Sequence, residues 1–306
     1  MLTALPRYEN RARLLALRPI LASVRLDGLY VEGSLEGLAA PSVALVGSRA
    51  PSEGGRRLAR STARALAEAG VCVISGLAHG IDAAAHEGAV EAGAPTIGVL
   101  GGGHGHFYPP RNRALAQAMV ARGGAVVSPF GPDEAAHPGQ FLQRNGIIAA
   151  LADAVVVVEA AARSGSLNTA GWAADLGVPV FAFPGDVERP KVAGCLALIR
   201  DGATLVRGAS DILEGIGLRA PALRTRGAEH QADLTPFEGE VLARLAHGEA
   251  SLDELLPRLR TSAAALATTL VQLELRGAVE RRDGSRFALV QPTRREVSPH
   301  RGRQNS

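Results

Sequence analysis

A regular alternation of apolar strand patterns and helical patterns between residues 42 and 216 constrains the fold more than any other feature. Short apolar runs bounded by turn residues predict buried strands, and the segments between them have helical spacing. The predicted strands are Val43–Val46, Val71–Ser75, Thr96–Leu100, Ala125–Ser128, Ala154–Val158, Val178–Phe183 and Ala203–Val206; the predicted helices are Arg56–Ala69, Asp82–Ala92, Arg111–Ala121, Gln140–Ala152, Leu167–Leu176 and Gly194–Arg200. This alternation predicts an α/β fold, an extended Rossmann-like, doubly wound and mostly parallel sheet.

The segments on either side of residues 42–216 have different patterns. Residues 1–41 contain a single helical pattern, Ala12 to Leu21, which is too little for an independent core, so we expect this short N-terminal segment to pack on the domain that follows. Residues 217–232 contain arginines and proline without periodicity and predict a linker. Residues 233–291 predict a second domain, and residues 292–306 a basic, disordered tail.

The second domain is predicted to be a small winged helix. Thr235-Pro236-Phe237-Glu238 and Ser251-Leu252-Asp253-Glu254 have the pattern of capping boxes that begin helices. A third helix is predicted from Thr261 to Arg276, followed by a β-hairpin around Asp283-Gly284. The third helix offers mostly alanine, threonine and leucine, so we expect it to contact a protein or the DNA backbone and not to read base sequence.

Composition excludes several classes of protein. No apolar run reaches the ~18 residues of a membrane span, so we expect a cytoplasmic protein with no membrane partner. Cys72 and Cys195 match no metal-ligand spacing, which favours two small buried side chains in a reducing compartment. Basic and acidic side chains are nearly balanced over residues 42–216, so any binding of nucleic acid must depend on local clusters of charge.

Four loops are predicted to meet in one cleft, because ligands on such sheets bind beyond the carboxyl ends of the strands. These loops begin at Gly47-Ser48-Arg49, Ser75-Gly76-Leu77, Gly101-Gly102-Gly103 and Glu159 to Ser166. After the strand that ends at Val46, a turn leads directly into a helix, which predicts that backbone N–H groups and a helix N-terminus face an anion. Neither a P-loop nor a Gly-x-Gly-x-x-Gly fingerprint follows this strand, so no nucleotide cofactor is predicted.

Arginines sharpen the prediction of an anion site. Arg49 in the first turn, Arg144-Asn145 and Arg163-Ser164-Gly165-Ser166 supply donors of the kind that phosphate backbones require. Arg56, Arg60 and Arg64 recur every four residues, and this pattern alone favours a solvated helix face. The histidines do not predict a metal site: Asp82 and His86 favour a helix cap and a packed histidine, and His104-Gly105-His106 has no third ligand.

The ordered motifs of residues 43 to about 206 resemble those of the DNA-processing protein A (DprA/Smf) family. The matching segments are Val46-Gly47-Ser48-Arg49, Ser75 to Asp82 with His86, Tyr108-Pro109 to Asn112, Phe141 with Arg144-Asn145 and Ile147-Ile148, Val158-Glu159-Ala160, Ser164-Gly165-Ser166-Leu167 with Thr169-Ala170, and Pro184-Gly185. The resemblance implies a non-enzymatic homodimer that binds single-stranded DNA without sequence preference and helps to load RecA recombinase onto it during natural transformation and recombination.

By this resemblance, the DNA-binding residues are expected to be Gly47, Ser48, Arg49, Ser75, Gly76, Gly80, Arg111, Phe141, Arg144, Asn145, Ser164, Gly165 and Ser166. Phe141 is either a base-stacking aromatic or a core residue that opens a helix. The chain departs from the family at four positions: arginine is usual at His79 and Gly146, glutamate at Pro129 and asparagine at Leu196. The loss of two expected positive charges either weakens the groove or transfers their role to Arg111 and Arg113.

Two other functions fit parts of the pattern. Nucleoside-monophosphate phosphoribohydrolases share a similar Rossmann domain, but their loop carries a glutamate, whereas the loop from Ala161 to Thr169 has no acidic residue. A winged-helix transcription regulator with a ligand-sensing Rossmann domain would require a basic recognition helix, which this chain lacks. Single-stranded DNA binding is therefore the leading hypothesis.

Overall fold

The computed structural model describes residues 6–218, 235–246, 248–259, 261–275, 278–282 and 286–289. The chain divides into two compact units, residues 1–220 and 221–306. The predicted linker at 217–232 falls almost entirely outside the described residues, as do the predicted tail at 292–306 and the Asp283-Gly284 turn. No helix in the described ranges combines the length and apolar character needed to span a membrane.

The first unit is built on a nine-stranded sheet. Its strands are β1 (Arg7–Asn10), β2 (Gly28–Gly33), β3 (Ser42–Val46), β4 (Cys72–Ser75), β5 (Thr96–Val99), β6 (Ala125–Ser128), β7 (Ala154–Val157), β8 (Val180–Ala182) and β9 (Thr204–Leu205). Its helices are α1 (Arg11–Leu17), α2 (Glu53–Glu68), α3 (Ile81–Glu91), α4 (Arg113–Ala121), α5 (Pro138–Leu151), α6 (Ser166–Asp175), α7 (Ala193–Arg200) and α8 (Ala209–Gly215). The predicted α/β class and doubly wound sheet are confirmed.

The strand order is β1-β2-β6-β5-β4-β3-β7-β8-β9. Strands β3 to β9 pair in parallel, whereas β2 is antiparallel to both β1 and β6. The N-terminal segment therefore extends the sheet by two strands, which its weak patterning did not predict. Because the order reverses between β3 and β7, the carboxyl ends of these two strands form the switch point where open α/β sheets bind ligands.

The apolar runs of the strands are buried on both faces of the sheet. Ala44 and Val46 belong to one apolar cluster, and Val43 and Leu45 to another, because successive side chains of a strand point to opposite faces. All five residues of β3 are buried. Such continuous burial requires apolar runs, and these runs predict the strands from sequence. Helix α8 is short and buries only two residues, so its sequence has no comparable pattern.

The described residues of the second unit form three helices, α9 (Pro236–Leu245), α10 (Leu252–Leu259) and α11 (Ala263–Leu275), and strands β10 (Ala250–Ser251), β11 (Val279–Arg282) and β12 (Arg286–Leu289). The strands form an antiparallel sheet in the order β10-β12-β11. Both predicted capping boxes are present, since Thr235 and Glu238 exchange hydrogen bonds, as do Ser251 and Glu254. This is the predicted winged helix, with β10 as an additional strand.

Candidate functional site

A cavity of about 740 Å³ lies beyond the carboxyl ends of β3 and β7, at the switch point of the sheet. Most of the predicted site residues line it: Gly47, Ser48, Arg49, Phe141, Arg144, Asn145, Ser164, Gly165 and Ser166. Two smaller depressions adjoin it. One, of about 410 Å³, includes Gly80 and Arg111; the other, of about 500 Å³, includes Tyr108 and Phe141. Arg49 lines all three, so these depressions meet at one guanidinium group.

The turn from Gly47 to Ser52 does not present its N–H groups as predicted. The Ser48 N–H donates to the Glu159 carbonyl at 2.7 Å, and the Ala50 N–H donates to Ser48 Oγ at 3.1 Å. A Cβ on Gly47 would lie 2.8 Å from the same Glu159 carbonyl, so glycine is required for this approach. The prediction that this turn cradles an anion with its backbone is wrong for these groups, because the protein itself supplies their acceptors.

The anion at the start of α2 is the protein's own Glu159. This carboxylate is 3% exposed, and it accepts hydrogen bonds from the Ser52 N–H at 2.8 Å and from the Ser52 hydroxyl. Ser52 Oγ in turn caps α2 by accepting from the Gly55 N–H. Sequence reasoning placed Glu159 in a motif but missed this role, because 107 residues separate it from Ser52. Glu159 thereby fixes the turn that carries Arg49.

Arg49 is exposed, and its guanidinium group lies over the Phe141 ring, 5.1 Å from the ring centroid. In the described part of the chain it has no carboxylate partner, and the same is true of Arg111 and Arg163. The arginines of α2 differ: Arg56 pairs with Glu87 and Arg60 with Glu91. The stripe on α2 is therefore a solvated, ion-paired face, as predicted, whereas the cleft arginines are available to a ligand.

Arg144 lines the cavity, as predicted, but it is buried. It is 3% exposed, and its Nη1 donates to the Val99 carbonyl at 2.9 Å. Burial lowers the pKa of Arg144 to about 10, against the opposing effect of the nearby Asp82 carboxylate. Burial likewise raises the pKa of Asp82, and Arg144 counteracts this rise. Arg144 therefore lines the cavity with most of its side chain buried.

Ser75 and Gly76 line none of these three depressions, and their contacts with DNA stay a prediction. Ser75 is fully buried and its hydroxyl donates to the Leu45 carbonyl at 2.6 Å. A Cβ on Gly76 would lie 1.7 Å from Nη1 of Arg144, so glycine leaves the space that this arginine occupies. Gly80 has φ of +83°, packs against the Ser48 carbonyl and lines the second depression.

The loop at the start of α6 faces the cavity. Ser164 Oγ and Ser166 Oγ lie 2.8 Å apart, and a Cβ on Gly165 would meet open space. Asn145 donates its amide to the Gly165 carbonyl at 3.3 Å and to Asn168 Oδ1 at 3.2 Å. Asn145 thus holds this loop in place, and the loop, together with Arg163, supplies hydroxyls and a charge across the cavity from Arg49.

The structure explains one departure from the resembled family. A Cβ on Gly146 would lie 3.0 Å from the Trp172 ring, so a long side chain at this position would displace the tryptophan. His79 lies in the loop before α3, and its ring makes an edge contact with Tyr108 at 6.3 Å. Burial, followed by the charges of Arg111 and Arg49, lowers the pKa of His79.

In the two candidate metal sites, Asp82 with His86 and His104 with His106, the buried histidines make other contacts. His86 is buried and its Nδ1 lies 2.8 Å from Thr96 Oγ1, while His104 Nε2 lies 3.1 Å from the Val126 carbonyl. Across the described residues, no group of three His, Cys, Asp or Glu side chains is arranged to hold a metal ion.

Three described arginines of the wing, Arg281, Arg282 and Arg286, are engaged within their own unit. Arg282 pairs with Glu280, Arg286 with Glu254 at 3.0 Å, and Arg281 lies over the Phe287 ring. On α11 the hydroxyls of Thr268 and Thr269 donate to carbonyls of the preceding turn. These contacts leave few groups to read base edges, in contrast to the free arginines of the cleft.

The fold and the cleft define a class: a Rossmann-like protein with an arginine-lined cleft at the switch point of its sheet and a winged helix later in the chain. The chain belongs to the DNA recombination-mediator protein A family, whose pattern matches residues 20–217. The DprA winged helix domain matches residues 227–285.

Individual relatives agree with this assignment. Protein Smf of Escherichia coli is 39% identical over 84% of this chain and 71% of its own length. A putative DNA processing protein DprA of Mycobacterium tuberculosis is 39% identical over 82% of this chain, which spans 65% of that relative. The X-ray structure of DNA processing protein A from Streptococcus pneumoniae superposes with a TM-score of 0.63 at 37% identity, covering 68% of this chain and 74% of that one.

A second solved structure is informative about ligands. The DNA processing protein A of Helicobacter pylori, described for its single-stranded DNA binding mode, superposes with a TM-score of 0.60 at 26% identity. The match covers 70% of this chain and 94% of that chain.

Proposed function

We propose that this protein binds single-stranded DNA without sequence preference in the cleft around Arg49. We further propose that it helps to load RecA recombinase onto that DNA during natural transformation and recombination, acting in the cytoplasm as a homodimer and without catalysing a reaction. The single-stranded DNA binding of the Helicobacter pylori relative supports the first statement. The RecA and homodimer statements rest on the family to which the chain belongs.

The observation that carries the proposal is the set of unpaired arginines in the cleft. Arg49, Arg111 and Arg163 are exposed, and each lines at least one of the three adjoining depressions. An arginine without a carboxylate partner retains its full capacity to donate bidentate hydrogen bonds to phosphate. Because the depressions adjoin at Arg49, a ligand with several phosphates fits them better than a single nucleotide does.

The lack of sequence preference follows from the kinds of group that face the cleft. Arginines and the serine hydroxyls of the loop at 164–166 bind phosphate and sugar, which carry no sequence information. The third helix of the winged helix exposes Ala264, Thr268, Val271 and Gln272, of which only Gln272 is a strong base-reading side chain.

The test compares Arg49→Gln with Arg60→Gln in binding to an oligothymidylate, measured by fluorescence anisotropy at several salt concentrations. Both changes remove one exposed positive charge, but Arg60 is paired with Glu91 outside the cleft. A charge-assisted contact contributes ~1.5–3 kcal/mol, so Arg49→Gln should weaken binding about 10- to 150-fold. The slope of log affinity against log salt should fall by ~0.7 for one lost phosphate contact on a single strand.

Equal affinity of the wild type and Arg49→Gln would refute the proposed cleft. Binding of double-stranded DNA as strongly as single-stranded DNA would refute the preference for single strands. For RecA loading, the assay is the rate at which RecA assembles on DNA already coated with single-strand-binding protein. Arg49→Gln should reduce any acceleration, whereas Arg60→Gln should not.

The phosphoribohydrolase alternative has less support. Among the described residues that line the main cavity, the only carboxylate is Asp82, which lies near the Arg144 guanidinium and is 7% exposed. Glu159, which precedes the loop from Ala161 to Thr169, accepts a hydrogen bond from the Ser52 N–H. Release of free adenine from AMP by the purified protein would nevertheless establish the enzymatic function.

A further inference from the structure

The third depression has an aromatic wall that the phosphate-binding groups do not explain. It has a volume of about 500 Å³ and is lined in part by Arg49, Phe107, Tyr108, His137 and Phe141. Tyr108 is 53% exposed, an unusual position for so large an aromatic side chain within a cleft. Exposed aromatic surface beside unpaired arginines is the combination that proteins use to bind single-stranded nucleic acid.

Phe141, the aromatic first expected to stack on a base, is already surrounded. The guanidinium of Arg49 lies over its ring at 5.1 Å and that of Arg144 at 5.8 Å. The backbone of Gly101 also packs closely, since a Cβ there would lie 2.5 Å from Phe141 Cδ1. While Arg49 keeps this position, its guanidinium lies over the half-buried Phe141 ring, and Phe141 serves as a support for the arginine.

Tyr108, by contrast, is held in place and open. Its ring makes edge contacts with His79 at 6.3 Å and with Phe141 at 6.5 Å. The segment that follows it is tied to the loop before α3, because Asn112 donates to the carbonyls of Leu77 and Ala78. A ring fixed in this way loses little conformational freedom when a ligand stacks on it.

We propose that Tyr108 is the nucleobase platform of the cleft, on which a base stacks while a neighbouring phosphate is bound at Arg49. This assignment rests on the proposed function of single-stranded DNA binding and adds to it the position of a base. Both purines and pyrimidines would fit, because every base presents a π-face and stacking requires no particular edge.

The experiment separates the contribution of the bases to binding affinity from that of the phosphates. Binding of Tyr108→Leu is measured with an oligothymidylate and with an abasic oligomer of equal length, which has the same phosphates but no bases. We expect about 5- to 150-fold weaker binding to the oligothymidylate and unchanged binding to the abasic oligomer. Tyr108→Phe should bind both as the wild type does, and the salt slope should be the same for all three proteins.

Tyr8 provides a matched control. It is 52% exposed and also contacts another aromatic ring, that of Tyr30, but it lies on β1 and lines none of the three depressions. Tyr8→Leu should leave both affinities unchanged. Thermal unfolding of each variant shows whether Tyr108→Leu keeps the fold; if it does not, Tyr108→Gln takes its place, because it also removes the ring and its polar side chain suits a position that is 53% exposed.

The outcomes distinguish this inference from the proposed function. If the wild type binds neither oligomer, the single-stranded DNA function itself fails. If Arg49→Gln weakens both oligomers but Tyr108→Leu weakens neither, or weakens both equally, the cleft binds DNA and the base platform is not Tyr108.

Discussion

Glu159→Gln tests whether the protein's own anion holds the turn that carries Arg49. The substitution keeps the shape of the side chain but removes its charge. The carboxylate accepts two hydrogen bonds from Ser52, through the N–H at 2.8 Å and through the hydroxyl. The oxygen of a glutamine can retain one of these two hydrogen bonds. The NH₂ group of the glutamine must then face Ser52 Oγ, which already accepts from the Gly55 N–H.

The magnitude follows from these contacts. A hydrogen bond to a charged group contributes ~1.5–3 kcal/mol and a neutral one ~0.5–1.5, so exchanging one for the other costs about 1 kcal/mol. The carboxylate also lies at the positive end of α2, where a negative charge contributes ~0.3–1 kcal/mol. We expect a total loss of about 2 kcal/mol in the free energy of unfolding, which lowers Tm by ~4–8 °C for a unit of this size.

Differential scanning calorimetry and DNA binding are measured on the same preparations. Glu91→Gln is the matched control, because Glu91 pairs with Arg60 at the exposed surface, where such pairs contribute ~0–1 kcal/mol. Glu159→Gln should also weaken oligothymidylate binding, because the turn that positions Arg49 becomes less rigid. Equal Tm values for the two variants would refute the assignment of Glu159 as the anchor of the turn.

Two predictions concern pH. His86 is buried, and desolvation lowers its pKa to about 3, whereas an unfolded histidine titrates near ~6.5. The folded state is therefore not penalised above pH ~6.5, and its free energy of unfolding falls by about 1.4 kcal/mol per pH unit as the pH drops from there towards 3. Chemical denaturation between pH 7 and pH 4.5 should show this slope and a shallower one for His86→Gln; parallel slopes would contradict the assignment. The pKa of His79 is also lowered, by burial and then by Arg111 and Arg49. A bound phosphate would favour its protonated form, so oligothymidylate affinity should rise from pH 8 to pH 5.5 at constant ionic strength, and His79→Gln should abolish most of that rise; an equal rise in both proteins would exclude His79 as its source.

The sequence predicted those parts of the fold that depend on local pattern. Strands such as β3 and β6 are continuous apolar runs, and burial on both faces of a sheet requires that composition. The cleft was predictable for a geometric reason, since parallel strands bring their carboxyl ends to one edge. The antiparallel pairing of β2 with β6 was not predictable, because it depends on a contact between segments about 100 residues apart.

Within the site, residue type predicted chemistry but not exposure. Both Arg49 and Arg144 are predicted from sequence to bind phosphate, yet Arg49 is exposed, whereas Arg144 is buried and donates to the Val99 carbonyl. The difference arises from Gly76, whose missing side chain leaves room for a buried guanidinium. In the same way, the N–H groups of Ser48 and Ser52 donate to Glu159, and this contact could not be predicted because Glu159 lies more than 100 residues further along the chain.

The two outermost strands of the large sheet limit how two copies of the protein can associate. Strand β9 consists of Thr204 and Leu205 alone, and β1 has four residues, of which Arg7 and Glu9 are charged. Short or charged edges offer few main-chain hydrogen bonds to an incoming strand, and this protects open sheets from edge-to-edge aggregation. A homodimer of this chain would therefore draw its affinity mainly from side-chain packing, and point substitutions at that interface should separate the copies without unfolding either one.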